Sequence, residues 1–344
     1  MANRKKKIIE IIIILIVLSI IGFAIYNFAD RDNMERYNRT ELILDTVFDV
    51  TIFVDEEVEG DRLLREAFDK VRALEKVMSR FVKNSDVDNI NEQAGKEPVE
   101  VDPRTFYVIE RSLEFGDASQ GKFDVTIGPL LNLWGFGTGE EREPPSSEKI
   151  EETLPLVDYK DIELDEENLT VYLPREGMVL DLGGIAKGYI VDEIAEFLEG
   201  EGVEHGSVNA GGDIRALGTR LDGNPWRIGI THPRDRENLI AVIPVSQEAI
   251  VTSGDYERFF THEGEIYHHI LDPDTGRPAG EVTSVTVVAP DCITADSLST
   301  AVFVLGVEEG KSLLESMPQV EGIIVDLQEE VYVTSGLKDL IEIR

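Results

Sequence analysis

Four stretches of the chain hold residue types and spacings that suit chemistry. In DLGGIAKG, Asp181–Gly188, an apolar run ends at an acidic residue, two glycines follow, and a helical pattern begins at once. Glycines at such a turn let a ligand approach the backbone, and the helix N-terminus behind them favours anions. Lys187 adds a cation in that first turn. Neither the P-loop spacing nor GxGxxG is present, and a tight turn packed on a sheet explains the fragment equally well. In DCITADSLSTAVFVLG, Asp291–Gly306, Asp296 and Thr300 lie four apart in a helical pattern and share a face. A carboxylate and a hydroxyl together suit Mg²⁺, which prefers oxygen ligands. The plainer alternative is that Asp296 caps the helix and Thr300 is an ordinary residue.

The third stretch is YHHILDPDTGRP, Tyr267–Pro278, in which Asp272, Pro273, Asp274 and Gly276 make a turn by composition. The adjacent His268 and His269 point opposite ways in an extended chain, so one of them faces a given site. A histidine with an ordinary pKa near 6.5 suits proton transfer at neutral pH. A zinc site from His262, His268 or His269 with Asp272 lacks both a helical His pair and a Cys partner. The fourth is GKFDVTIGPLLNLWGFG, Gly121–Gly137, where Phe123, Trp134 and Phe136 either wall a flat ligand or form core beside a turn.

These residues need a scaffold, and the composition bounds it. The chain has 344 residues, 33 Lys+Arg against 68 Asp+Glu, and a net charge of −35. With 42% apolar and 29% charged residues it is globular rather than disordered. Its acidity excludes nucleic acid as the main partner, because phosphates are repelled. A single cysteine, Cys292, excludes an intramolecular disulfide framework and Cys-rich metal sites.

Residues 1–29 differ from the rest. Arg4, Lys5, Lys6 and Lys7 precede the apolar run Ile8–Phe28, which as a helix is about 31 Å long at about 1.5 Å per residue. That length spans a hydrocarbon core of about 30 Å. No lipobox cysteine follows, and small residues for a signal cleavage are poorly placed, so an uncleaved anchor is expected with the rest of the chain outside the cytoplasm. Residues 1–7 are then a cytoplasmic basic tail, 8–29 the transmembrane anchor, 30–40 a linker and 41–344 one domain. Beyond residue 29 the chain holds 29 basic and 67 acidic residues, a net of −38 that serves solubility.

Within that domain, Leu42–Val54 alternates like a strand, and Asp61–Phe81 carries apolar residues at helical spacing through Leu64, Phe68, Val71, Leu74 and Met78. Asp102–Ser119 is a second helix with Pro103 in its first turn. Gly135–Pro155 is an exposed excursion by composition. Strands are expected near Ile162–Leu164, Thr170–Leu173, Met178–Leu182, Gly206–Asn209, Trp226–Ile230, Leu239–Val245, Ala249–Thr252, Val282–Ala289, Gly322–Val325 and Val331–Thr334. Helices are expected at Ile185–Leu198, Thr294–Leu305 and Glu308–Ser316. Helices and strands mix without strict alternation, so the fold class is α+β, a mixed sheet-and-helix domain behind one transmembrane helix.

Taken in order, the blocks resemble the FAD:protein FMN transferases, the ApbE family once described as thiamine-biosynthesis lipoproteins. The resemblance runs from about Leu44 to the C-terminus through MSRF at Met78–Phe81, the four stretches above, VNAGGDIRALG at Val208–Gly218 and VTSGDYERFF at Val251–Phe260. It implies an enzyme that binds FAD, uses Mg²⁺ and transfers the FMN half to a threonine of an acceptor protein, releasing AMP. It also implies metal ligands at the Asp296 and Thr300 side chains and the Gly184 carbonyl. Leu44, Phe81, Lys122, Phe123, Asp124, Asp181, Lys187 and Ile270 would line the FAD site, and His269 would be the general base. Two departures stand out: the lipobox cysteine is absent, and Leu44-Asp45-Thr46 replaces the commoner Met-Gly-Thr. The family's acceptor motif is absent from this chain, so the acceptor is expected to be another protein, a membrane or extracytoplasmic redox subunit with an FMN-carrying domain. The competing expectations are a Mg²⁺-dependent FAD pyrophosphatase giving FMN and AMP, and a flavin-binding surface protein without turnover.

Overall fold

The structure, a computed structural model, describes residues 34–136 and 143–343. The expected anchor over residues 8–29 lies outside them. Among the described residues no helix is long and apolar enough to cross a membrane.

The chain enters through a hairpin where one strand was expected. β1 (Glu35–Ile43) turns at Leu44-Asp45 into β2 (Thr46–Val54). Both turn residues are left-handed, with φ of 58° and 55°, as a tight two-residue hairpin requires. β1 occupies part of the stretch expected as a linker, residues 30–40. Its side chains alternate between exposed and half-buried at the edge of the sheet, so its composition resembles a linker.

Next come α1 (Glu57–Met78), α2 (Asp86–Glu92), β3 (Val99–Glu100), α3 (Pro103–Ala118), α4 (Gly128–Leu133), α5 (Ser147–Thr153), β4 (Glu163–Asp165) and β5 (Thr170–Tyr172). The apolar positions read from α1 are buried along one face, and Asp102 caps α3 by accepting the Arg104 N–H. The expected excursion after Gly135 contains α5, which buries Ile150; residues 137–142 lie outside the described set. Met178–Leu182, expected as a strand, makes one bridge, Val179 to Ile127. The Asn91 side-chain amide takes the place of a ladder there, accepting from Leu180 N at 2.6 Å and donating to Leu180 O at 3.0 Å.

The second half supplies α6 (Ala186–Gly200), β6 (Gly206–Ala210), β7 (Asp213–Leu217), β8 (Trp226–Thr231), β9 (Leu239–Val245), β10 (Ala249–Gly254), β11 (Phe259–His262) and β12 (Glu265–His268). It ends with β13 (Leu271–Asp272), β14 (Arg277–Pro278), β15 (Val282–Ala289), α7 (Cys292–Ser316), β16 (Glu321–Asp326), β17 (Val331–Val333) and β18 (Glu342–Ile343). α7 breaks into two helical segments at Gly306, whose φ of 80° and ψ of −167° are not helical. The break falls between the two helices read from the sequence.

The main sheet runs β1-β2-β6-β7-β10-β15-β16-β17 with every neighbouring pair antiparallel. α1, α6 and α7 pack on one face, where Phe48, Val208, Val251, Val287 and Phe303 share a core. The sheet β18-β9-β8 covers the other face through Ile230, Ile243, Ile250, Val288 and Ile323. β15 is therefore buried along its whole length and shows no inside–outside alternation. The mixed architecture is the α+β class expected.

The contact between α6 and α7 is a close joint that bears on the site. A Cβ at Gly188 would stand 2.4 Å from the Cys292 carbonyl oxygen and 2.8 Å from the Asp296 Cβ. Gly188→Ala should force the two helices apart and cost about 1–3 kcal/mol, as overpacking does. Thermal unfolding of the variant would show this as a lowered midpoint, and an unchanged midpoint would contradict the close approach.

Candidate active site

The site forms where the α6 N-terminus, the middle of α7 and the β6–β7 turn meet. Leu182, Gly183 and Gly184 make the turn into α6, which has no side-chain N-cap. Asp291, not Asp296, caps α7 by accepting the Thr294 N–H at 2.9 Å. Asp296 lies further along, 3% exposed, and its Oδ2 accepts the Gly188 N–H at 3.0 Å. Thr300 follows one turn later on the same face. A Cβ placed on Gly184 would lie 3.4 Å from Thr300 Oγ1 and 3.2 Å from Phe123 Cε2. Gly184, Thr300 and Phe123 are thus brought together from three separate stretches.

Lys187 lies between two buried carboxylates. Its Nζ makes an ion pair with Asp213 Oδ2 and stands 3.8 Å from Asp296 Oδ1. Burial by itself would lower the ammonium's pKa, but the charges of Asp213 and Asp296 outweigh it and hold the group well above its ordinary value. Burial, and next the Asp213 charge, push Asp296 up to about 7 against the pull of Lys187 and the Gly188 N–H. Asp213 carried no role in the sequence analysis. It starts β7 directly after the Gly211-Gly212 turn, and only the fold brings it to Lys187.

The two histidines separate as an extended pair should. His268 points inward, its Nε2 2.8 Å from the Ala279 carbonyl and its ring against Phe303. His269 is half-buried with its Nδ1 3.1 Å from the Arg258 carbonyl. A carbonyl only accepts, so Nδ1 carries the proton and the Nε2 lone pair is left to accept another. Burial, then the Arg258 charge, lower the His269 pKa to about 3, with a smaller push from Lys187. The zinc alternative is not assembled: among the described residues no group of three or more His, Cys, Asp or Glu is arranged to hold a metal.

Several residues expected at the FAD site hold the walls through bonds of their own. Asp181 Oδ1 accepts the Gly183 N–H at 2.7 Å and its Oδ2 pairs with Arg80 Nε at 2.8 Å. The Arg80 guanidinium lies 4.7 Å over the Phe81 ring. Phe81 itself is 57% exposed, so the ring face away from Arg80 is open. Asp124 accepts from Thr126 N, Thr126 Oγ1 and Tyr159 N; burial still raises its pKa to about 6. Lys122 pairs with Asp272 and Asp274 at 2.9 and 2.8 Å and pins the turn after His269. Ile270, Trp134 and Phe136 are core, as is most of Phe123. Leu44 stands at the β1–β2 tip, where its N–H donates to Glu75 Oε1 at 3.0 Å. That tip adjoins the β6–β7 turn, since a Cβ at Gly211 would meet Thr46 Oγ1. Arg80 and Asp213 escaped the sequence reading because neither partner is near in sequence.

The lowered pKa makes His269 neutral through the physiological range. In the unfolded chain it binds a proton below its ordinary value of 6.5, while the folded protein takes it up only near 3. The unfolded state holds more protons in that window, so this group's stabilising contribution is complete above 6.5 and declines as the pH falls towards 3. Histidine NMR of the ligand-free protein should show no titration of His269 between about pH 5.5 and 8, the range in which an ordinary histidine titrates. A midpoint near the ordinary value would refute the half-buried, Arg258-flanked environment.

Comparison with known proteins places this geometry. The model of the ApbE family matches residues 44–324. A FAD:protein FMN transferase of Vibrio cholerae is 35% identical over 292 residues, covering 83% of this chain and 84% of that protein. One from Treponema pallidum is 34% identical over 329 residues and covers 91% of each chain. Among solved structures, the ApbE protein of Thermotoga maritima superposes with a TM-score of 0.83 at 35% identity, covering 89% of this chain and 99% of that one. The flavin transferase ApbE of Vibrio cholerae gives 0.80 at 30% identity, with coverage of 89% and 99%. A match over that span, with relatives at this identity along most of both chains, means that the chain belongs to the ApbE family.

Proposed function

We propose that this protein transfers the FMN half of FAD to a threonine hydroxyl of an acceptor flavoprotein and releases AMP. The observation that carries the reading is the meeting of Gly184 with Thr300 and of Lys187 with Asp296, with His269 near enough to feel the Lys187 charge and its Nδ1 rather than its Nε2 committed to Arg258.

The donor set suits Mg²⁺. Asp296 supplies a carboxylate, Thr300 a hydroxyl with no hydrogen-bond partner among the described residues, and Gly184 a backbone carbonyl, all hard oxygens. Asp296 and Asp213 together bring two buried carboxylates against one ammonium, a balance that favours a further cation. When bound, Mg²⁺ would neutralise charge on the pyrophosphate.

The remaining work falls to the protein's own groups. Lys187 and the positive end of the α6 dipole would attract the phosphates, although the Gly188 N–H of that first turn is already taken by Asp296. The exposed Phe81 ring offers a flat surface for an aromatic ring of the substrate. His269 Nε2 takes the threonine proton as the hydroxyl oxygen bonds to the FMN phosphorus, and the bond from that phosphorus to the AMP phosphate oxygen breaks. The negative charge that FAD brings opposes the burial that lowers the His269 pKa, so the base strengthens when substrate is present.

Residues 8–29 have the length and the preceding basic cluster of a membrane anchor, which supports a single-pass protein with its catalytic domain outside the cytoplasm. The acceptor would then be an extracytoplasmic or membrane redox subunit with an FMN-carrying domain. Sharing one membrane would raise the effective concentration of the two partners.

Intact-mass spectrometry tests the reading. The protein with FAD, Mg²⁺ and an FMN-domain acceptor should add one FMN to the acceptor, and EDTA should abolish the gain. Cleavage of FAD to FMN and AMP with an unmodified acceptor would favour a pyrophosphatase; intact bound FAD would favour storage. His269→Ala should retain FAD binding and lose at least about 10²-fold in transfer rate, the lower range of general-base help. Asp296→Ala at the wild-type rate would defeat the metal assignment.

A further inference from the structure

We infer that Asp213 is a positioning residue for the cation site: it holds the Lys187 ammonium away from Asp296 and so keeps one carboxylate oxygen open for a divalent metal. The inference rests on the Mg²⁺ reading above and concerns how this chain keeps its ligand available.

The arrangement has one cation and two buried anions. Asp213 is 2% exposed and Asp296 3%. Lys187 Nζ is in direct ion-pair contact with Asp213 Oδ2, whereas Asp296 Oδ1 lies 3.8 Å away, beyond hydrogen-bond reach. The other oxygen of Asp296 is already committed to the Gly188 N–H. Oδ1 is therefore the oxygen a metal would use, and the ammonium is its nearest competitor.

Asp213 can hold the lysine because its backbone is fixed. It pairs with Ala210 across the Gly211-Gly212 turn, whose φ values are 65° and 110°. Gly212 N–H donates to Asn209 Oδ1 at 2.8 Å, and Gly211 abuts Thr46 at the neighbouring hairpin tip. Lys187 reaches this rigid carboxylate on a flexible four-carbon stem. Without the Asp213 charge, the nearest anion left to the ammonium is Asp296. A movement of about 1 Å would bring Nζ to charge-assisted hydrogen-bond distance from Oδ1. The ammonium would then occupy the ligand and repel the metal.

Mn²⁺ binding, followed by the loss of the free-ion electron paramagnetic resonance signal, reads this without any turnover. The full chain in detergent, free of FAD, would be compared as wild type, Asp213→Asn, Lys187→Met and the double variant, with circular dichroism as the folding control. Asp213→Asn should weaken Mn²⁺ binding at least about tenfold, and adding Lys187→Met should restore it to within about threefold of wild type, because a close charge pair outweighs a tenfold change in affinity. Rescue by the second substitution separates positioning from a structural role or direct ligation. Equal binding by wild type and Asp213→Asn would overturn the inference and leave the metal reading intact, as would weakened binding that Lys187→Met does not rescue. No binding by wild type would overturn both. Should Asp213→Asn fail to fold, Lys187→Met alone decides: it should bind Mn²⁺ at least as tightly as wild type, and weaker binding would overturn the inference.

Discussion

A carboxylate buried between two helices governs the architecture. Asp296 sits where α6 and α7 touch; the Gly188 N–H holds it there, and the Lys187 ammonium offsets its charge from 3.8 Å. An uncompensated charge in that position would be very costly, so its partners cannot be interchangeable. The helices can approach that closely only because residue 188 has no side chain. Packing and electrostatics are therefore the same constraint at this point: the glycine permits the contact, and its N–H satisfies the acid that the contact buries.

A second network sets the register of α7 against that contact. Asp192 of α6 accepts the Cys292 and Ile293 N–H groups, both at 2.8 Å, so one helix supplies a carboxylate to the N-terminus of the next. Arg215 of β7 pairs with Asp192 at 3.1 Å and donates to the Pro290 carbonyl at 2.6 Å. Burial raises the Asp192 pKa to about 7 even with these donors, and the donors offset the cost of placing the acid in the core. Asp296 and Thr300 thus inherit their position from a joint of α6, β7 and the start of α7 rather than from α7 alone.

Acidic residues near the site divide into two kinds of work. Asp181, Asp124 and Asp272 direct their oxygens to backbone N–H groups, hydroxyls or cations of their own walls, and so shape the loops. Asp213 and Asp296 instead face a single ammonium, leaving carboxylate capacity in a buried position. In a chain carrying a net charge of −35, an anionic substrate gains nothing from long-range attraction. Local charge, a helix terminus and the proposed cation must supply its affinity.

The sequence by itself determined the elements whose signals are local. The apolar face of α1, the Asp102-Pro103 start of α3, the strands Leu239–Val245 and Val282–Ala289, and the break before Glu308 follow from periodicity, capping and glycine. The i, i+4 spacing of Asp296 and Thr300 placed them on one face for the same reason. Tertiary structure decided what lies between distant residues. DLGGI and NAGGDI look alike as strings, yet the first enters a helix and the second turns a hairpin, because Asn91 satisfies the backbone beside one and β2 and β10 flank the other. The pairings of Lys187 with Asp213, Arg80 with Asp181 and Lys122 with Asp272 span 26 to 150 residues or join separate loops. No local propensity encodes them. Burial, which sets whether a charge is free, spent or shifted, is a property of the packed layers alone.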